Sequence, residues 1–234
     1  MVLLFAPDKL TNDQISFRVF MNVVSVNIAR VVEQTSEVKK PKVRTGIYKK
    51  PQSCRVQVGS LGLKGDLIFN RKYHGGRDQA VYAYSIEDYE FWGHSLKYPP
   101  EPGAFGENLT VSGIDFGSLC IGDIFILRDL QLQVTAPRIP CRILSSAIKH
   151  KNFAEKFNEA NRPGAYFRVI SEGTVGEGDE VKVKTYEDGE RIKLTTFFRD
   201  KGNVLTKEAL KKYLRSPIDT RSRKNFENQL RQFE

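Results

Sequence analysis

DIFILRDLQLQVTAPRIPC, residues 123–141, decides the fold. DIFILRD (123–129) and LQLQVTA (130–136) are two short apolar runs, the second strictly alternating at its start, and an Asp-bearing turn separates them. That pattern predicts strands. The second run then meets Pro137 and Pro140, each of which fixes φ and removes a backbone donor. The segment therefore reads as a stiff loop rather than helix or central strand. It delivers Cys141 between Arg138 and Arg142. Guanidinium charge favours the thiolate, the form of cysteine that acts as nucleophile or metal ligand.

Outward from this stretch, most of residues 21–187 has the same texture. VVSVNIARVV (23–32), CRVQVGS (54–60), QAVYAYS (79–85), NLTVSGI (108–114), AYFRVIS (165–171) and DEVKVKT (179–185) are further strand candidates. Lys64-Gly65-Asp66, Ile121-Gly122-Asp123 and Glu177-Gly178-Asp179 repeat one device, a Gly-Asp turn before an apolar or alternating run. Glycine permits the turn's φ and aspartate bonds its backbone, so these read as punctuation rather than catalysis. Two helices interrupt the strands. SIEDYEFWGHSLKY (85–98) offers Ser85 as N-cap, and SSAIKHKNFAEKFNEAN (145–161) spaces Ile148, Phe153 and Phe157 helically. Many short strands with few helices predict a mainly β chain forming a closed or partly closed barrel.

The ends differ. Residues 1–20 lack strand patterning and read as an extension, native or not, or as an arm packed on the surface, outside the functional argument; Met21 offers a second start. Residues 188–234 predict a small appendage of three short helices, with Thr206 and Asp219 as N-caps, Gly202 as a stop and Pro217 at a break. Such helices must pack on each other, on the barrel or on a second copy of the chain, which makes a homodimer one expected assembly.

The chain has 234 residues, 40% hydrophobic and 28% charged, which predicts a folded soluble protein with a sizeable core. Of the net charge of +9, residues 190–234 hold twelve Lys/Arg against six Asp/Glu and so carry +6. A basic tail of this kind is the solvated face of small helices or a surface that binds nucleic acid or an acidic partner. Three irregularly spaced cysteines predict no disulfide framework and a reducing, cytoplasmic setting. No apolar run is long enough for a membrane span, and the apolar start lacks a basic leader.

Several polar clusters are candidates for chemistry. RKYHGGRDQ (71–79) sets His74 before two glycines among Arg71, Lys72 and Arg77. Converging backbone N–H groups and basic side chains suit an anion, and His74 also suits proton transfer; an ordinary basic turn is the competing reading. FGENL (105–109) brings Glu107 and Asn108 to the start of a strand, lining a pocket or satisfying backbone. RPGAYFRV (162–169) offers Arg162 and Arg168 as anion ligands or surface ion-pair partners. Cys54 and Cys120 read as small buried hydrophobes. No CxxC, HExxH or paired Cys/His zinc spacing occurs, and three cysteines are too few for an ordinary iron–sulfur cluster. Neither GxxxxGK[ST] nor GxGxxG occurs, which argues against an ATPase or a nucleotide cofactor.

GLKGD (62–66), KYHGGRDQAVYAY (72–84), AFGENL (104–109), IGDIF (121–125), VTAPRIPC (134–141) and GAYFRVISEG (164–173) stand in the order seen in MOSC domains. These are named for the C-terminal domain of molybdenum cofactor sulfurases. The chain most resembles the YiiM-type stand-alone members, which carry a three-helix extension. The resemblance implies a β-barrel binding the molybdenum cofactor, with Cys141 as the molybdenum ligand. His74 joins Cys141 as the catalytic pair, and Lys72, His74, Asn108, Arg138 and Arg168 become the cofactor-binding candidates, Arg142 being a weaker one. It implies reduction of N-hydroxylated compounds, such as hydroxylamino purines, to amines, with electrons from a separate flavoprotein reductase. The rival reading is a carrier that passes on the cofactor, or a persulfide on Cys141, without turnover. A nucleic-acid-binding barrel is a third, against which the aromatic residues form no evident base-stacking motif.

Overall fold

A computed structural model describes residues 20–30, 45–69, 74–96, 98–150 and 152–233. Residues 1–19, Arg71 and Lys72 lie outside the described residues, and so do the expectations placed on them.

The chain begins with β1 (Asn22–Ile28), β2 (Lys50–Pro51), β3 (Val56–Gly59) and β4 (Gly62–Leu63). Next come β5 (Val81–Ser85), helix α1 (Ile86–Gly93), β6 (Leu109–Ser112), β7 (Ile124–Leu127) and β8 (Leu130–Pro137). Helices α2 (Arg142–Ile148) and α3 (Phe153–Ala160) follow, then β9 (Ala165–Ser171), β10 (Gly173–Val175) and β11 (Lys182–Lys184). Three helices end the chain: α4 (Leu194–Asp200), α5 (Lys207–Leu214) and α6 (Thr220–Leu230). All eight candidate runs contain a strand.

The main sheet has eight strands in the order β11-β7-β8-β9-β5-β6-β1-β2, and a second sheet has the order β10-β3-β4. The β5–β6 pairing is parallel and the others are antiparallel. The closed or partly closed barrel expected from the strand count is not confirmed: the pairing gives an open sheet whose edge strands, β2 and β11, are two and three residues long. An isolated bridge, Asn22 to Glu180, brings β1 beside the chain entering β11. The mainly β expectation also needs correcting, since strand and α-helix residues are about equal in number.

The opening stretch folds as read. Leu127 pairs with Leu130 across a tight turn in which Arg128 takes φ 52°. Along β8, Leu130, Leu132 and Val134 are fully buried while Gln131 and Gln133 are half-buried. From Val134 onward every residue is buried, and α4 packs against β8. Pro137 belongs to the strand's last pair, opposite Ala165, so the stiff loop begins one residue later than its prolines suggest. Closing a strand needs no further N–H, which makes that position tolerable for proline.

The Gly-Asp devices are indeed turns: Gly65, Gly122 and Gly178 have φ of 86°, 93° and 82°. Each aspartate accepts a backbone N–H, Asp66 from Ala29, Asp123 from Cys120 and Asp179 from Gly176. Each also pairs with a cation, Lys49, Arg191 and Arg55 respectively. At Gly122 a Cβ would also stand 2.5 Å from the Tyr186 ring, so space as well as φ demands glycine there.

Ser85 caps α1, its hydroxyl accepting from Asp88 N at 3.0 Å. The helix expected over 145–161 is two. Lys149 and Asn152 take φ of 52° and 60°, which an α-helix cannot contain, and α2 begins earlier than expected, with Cys141 at its N-cap. The C-terminal caps are as expected, Thr206 accepting from Ala209 N and Asp219 from Ser222 N. Phe197, Tyr213 and Phe226 stack these three helices together with centroids 4.9–5.9 Å apart. Of the two cysteines assigned to the interior, Cys120 is buried but Cys54 is exposed. Its neighbours Ser53 and Arg55 are exposed too, because β3 begins only at Val56.

Candidate functional site

One cavity of about 660 Å³ opens where the loop after β8 meets the loops before β5 and the N-terminal turn of α6. Cys141 lines it. The residue is half-buried, with extended backbone (φ −123°, ψ 165°), at the N-cap position of α2. Burial pushes its thiol up, but the neighbouring His74, the Leu144 N–H and the positive charge of Arg138 outweigh that. Together they bring the pKa down from 9.0 to about 7. The two-proline loop thus sets a readily ionised sulfur at the edge of a cavity, and the flanking arginine that matters is Arg138.

Arg138 is 3% exposed, and its guanidinium lies over the Tyr82 ring at 4.7 Å. Its Nε has no hydrogen-bond partner. His74 also lines the cavity, followed by Gly75 with φ 73°, where a Cβ would meet Ile68 at 2.8 Å. Asn108 reaches the cavity, but its amide is committed: Oδ1 accepts from Tyr82 N at 3.2 Å and Nδ2 donates to Asp66 at 2.9 Å. Asn108 is a bracket for the wall, not a free ligand.

Two of the arginine candidates lie elsewhere. Arg168 pairs with Asp78 at 3.0 Å and donates to the Pro217 and Ile218 carbonyls, so it fastens the chain entering α6 to β9 and does not line the cavity. Arg162 pairs with Asp88 at 2.6 Å over the Phe91 ring. Glu107 is fully buried behind the cavity. Burial pushes its carboxyl up, while hydrogen bonds from Tyr89, Thr110 and Gly103 act in the opposite direction. Lys72 lies outside the described residues.

The cavity also holds residues that sequence reasoning passed over. Lys49 and Asp66 face each other at 2.6 Å, their side chains 7% and 5% exposed. Burial pulls the Lys49 ammonium's pKa down, and Asp66 counters it. Asp66 sat in view as the third residue of a Gly-Asp turn; nothing in GIYKKP distinguishes Lys49 from its neighbour Lys50. Lys201, Asp219, Arg221 and Ser222 come from the C-terminal helices and complete the opposite wall. Their only sequence signal was a cap and a basic excess. Among the described residues no cluster of three or more His, Cys, Asp or Glu is placed to hold a metal. No helix among them is long and apolar enough to cross a membrane.

This geometry gives a direct prediction. Iodoacetamide should alkylate Cys141 with a rate that rises through a midpoint near pH 7, because the thiolate is the reactive form. In His74→Ala the midpoint moves up, since the largest stabilising contact to the anion is gone. An unmoved midpoint, followed by mass spectrometry of the Cys141 peptide, would remove His74 from the site.

The MOSC domain family model matches residues 70–182, which include His74, Asn108, Arg138 and Cys141. YflK of Bacillus subtilis is 38% identical over 162 residues, covering 69% of this chain and 72% of that one. A protein of Gibberella moniliformis named Reductase is 33% identical over 147 residues, 60% of this chain but 26% of its own length. The crystal structure of YiiM from Geobacillus stearothermophilus superimposes with a TM-score of 0.72 at 27% identity, covering 90% of this chain and 99% of that one.

Proposed function

Because this chain belongs to the MOSC domain family, we propose that it is an oxidoreductase that binds the molybdenum cofactor and reduces N-hydroxylated compounds to amines. MOSC domains are associated with that cofactor, and a relative bears the name Reductase. The observation that carries the reading is the thiol of Cys141, brought to a pKa of about 7 on the wall of a 660 Å³ cavity.

The donor set fits such a group. A soft, deprotonated sulfur suits a molybdenum centre better than the oxygen donors available nearby. Arg138 and Lys201 are cationic side chains lining the same cavity, and their charge suits the cofactor's anionic phosphate. When bound, the cofactor supplies two-electron oxygen-atom transfer. The protein's share is to hold and orient it, and to manage protons. His74, beside the sulfur on the cavity wall, favours the anionic ligand. The ammonium of Lys49, paired with Asp66 in the same cavity, holds a proton there. In the net reaction, R–NH–OH takes up two electrons and two protons and yields R–NH₂ and water. The electrons come from a separate reductase, docked on the basic C-terminal helices by long-range attraction that salt would weaken.

The test is reduction of 6-hydroxylaminopurine by the purified, cofactor-loaded chain with dithionite-reduced methyl viologen. Formation of adenine supports the oxidoreductase. A protein that carries a persulfide on Cys141 and forms no amine would instead be a sulfur carrier.

A further inference from the structure

Five tyrosines are buried among the described residues: Tyr82, Tyr84, Tyr89, Tyr166 and Tyr213. Four commit their hydroxyl to a protein partner. Tyr82 donates to the Pro163 carbonyl and Tyr84 to the Arg162 carbonyl, both at 3.0 Å. Tyr89 donates to Glu107 at 2.5 Å and Tyr213 to Asp200 at 2.7 Å. The hydroxyl of Tyr166 makes no hydrogen bond among the described residues, and protein does not seal it in as it does Arg138 Nε. Tyr166 lines the cavity of Cys141. A buried phenol ordinarily finds a partner, so a free one on a cavity wall marks where the acceptor of a ligand belongs.

The fold fixes this ring in place. Alternation along β9 sends Phe167 into the core, against Phe125 at 4.7 Å, and turns Tyr166 to the cavity. Its strand partners are Tyr82 on β5 and Ala136 on β8, and the Tyr82 ring lies against it with centroids 5.1 Å apart. Burial pushes the Tyr166 hydroxyl's pKa up; Arg138 and Arg221 pull it down, and Cys141 adds to the rise. The group therefore stays protonated near neutral pH and serves as a donor. The same charges place it in the company of the sulfur and the buried guanidinium.

We propose that Tyr166 is a further catalytic residue, whose hydroxyl donates a hydrogen bond to the oxygen of the substrate's N–O group. This rests on the reading of the cavity as the site of N-hydroxylamine reduction. That oxygen gains electron density as the N–O bond breaks, so a donor already aimed at it favours the transition state over the bound substrate. The amine product lacks the oxygen and loses the contact, which favours its release.

Tyr166→Phe keeps the ring and removes the hydroxyl alone. 6-Hydroxylaminopurine and adenine, which differ by the oxygen in question, are titrated calorimetrically into the purified full-length chain without reductant. Wild type should bind the hydroxylamine more tightly than adenine. The variant should bind the hydroxylamine about fivefold more weakly and adenine unchanged, the loss expected for one hydrogen bond. It should melt at the wild-type temperature or above, since no bond within the protein is lost. With reductant supplied, kcat should fall about tenfold or more, and KM should rise by less. The proposal is overturned if wild type binds the hydroxylamine no more tightly than adenine, if the variant weakens both ligands equally, or if binding and kcat stay within twofold. Turnover that survives in Tyr166→Phe leaves the reductase reading standing without this residue. Selective binding of the hydroxylamine through Tyr166, with no turnover in wild type, keeps the contact and removes the reductase reading.

Discussion

Cys141→Ser keeps its fold and loses at least a hundredfold in N-hydroxylamine reduction. Removing groups that merely support a metal ligand costs roughly 10–100-fold, so removing the ligand itself must cost no less. Serine is nearly isosteric, but its hydroxyl does not ionise near pH 7 and offers a hard oxygen for a soft sulfur. The residue is half-buried and its side chain makes no helix cap, so stability should change by less than about 1 kcal/mol. Thermal melting beside the turnover assay checks both halves. Cys54→Ser is the matched control, because that thiol is exposed and away from the cavity. Equal loss in both variants would show that turnover does not depend on the cavity sulfur.

Asp66→Ala is expected to cost about 3–5 kcal/mol of stability, the range for removing one partner of a buried ion pair. Lys49, its side chain only 7% exposed, would lose the carboxylate that offsets the burial of its ammonium. The Ala29 N–H and the Asn108 amide would lose their acceptor in the same step. The double variant Lys49→Met/Asp66→Leu should recover much of this loss, because it removes the stranded charge. Denaturant midpoints at constant slope give the comparison. A cost under about 1 kcal/mol for Asp66→Ala would mean that the pair is wetter than its burial indicates.

The strands and caps were legible because they are local. Alternation in LQLQVTA, glycine before aspartate, and Ser85, Thr206 and Asp219 before helical runs each report a backbone preference that tertiary contacts did not override. Cys141 was legible for the same reason, as its prolines and arginine lie within a few residues. Pairing across the chain was not. Sheet closure depends on pairing between distant segments, and nothing in KP or KVK announces edge strands of two and three residues. The helix over 145–161 broke because Lys149 and Asn152 adopt left-handed backbone, a choice their side chains permit without requiring. Arg168 was misplaced because sequence shows a charge and hides its partner, here Asp78, far earlier in the chain. Lys49, Lys201 and Asp219 joined the site through packing alone.

Metal and pterin analysis of freshly purified protein tests the central claim most directly. The account predicts molybdenum and pterin bound in near-equal amounts in wild type and in Cys54→Ser, with molybdenum lost from folded Cys141→Ser. Molybdenum retained at the wild-type level in Cys141→Ser would contradict it.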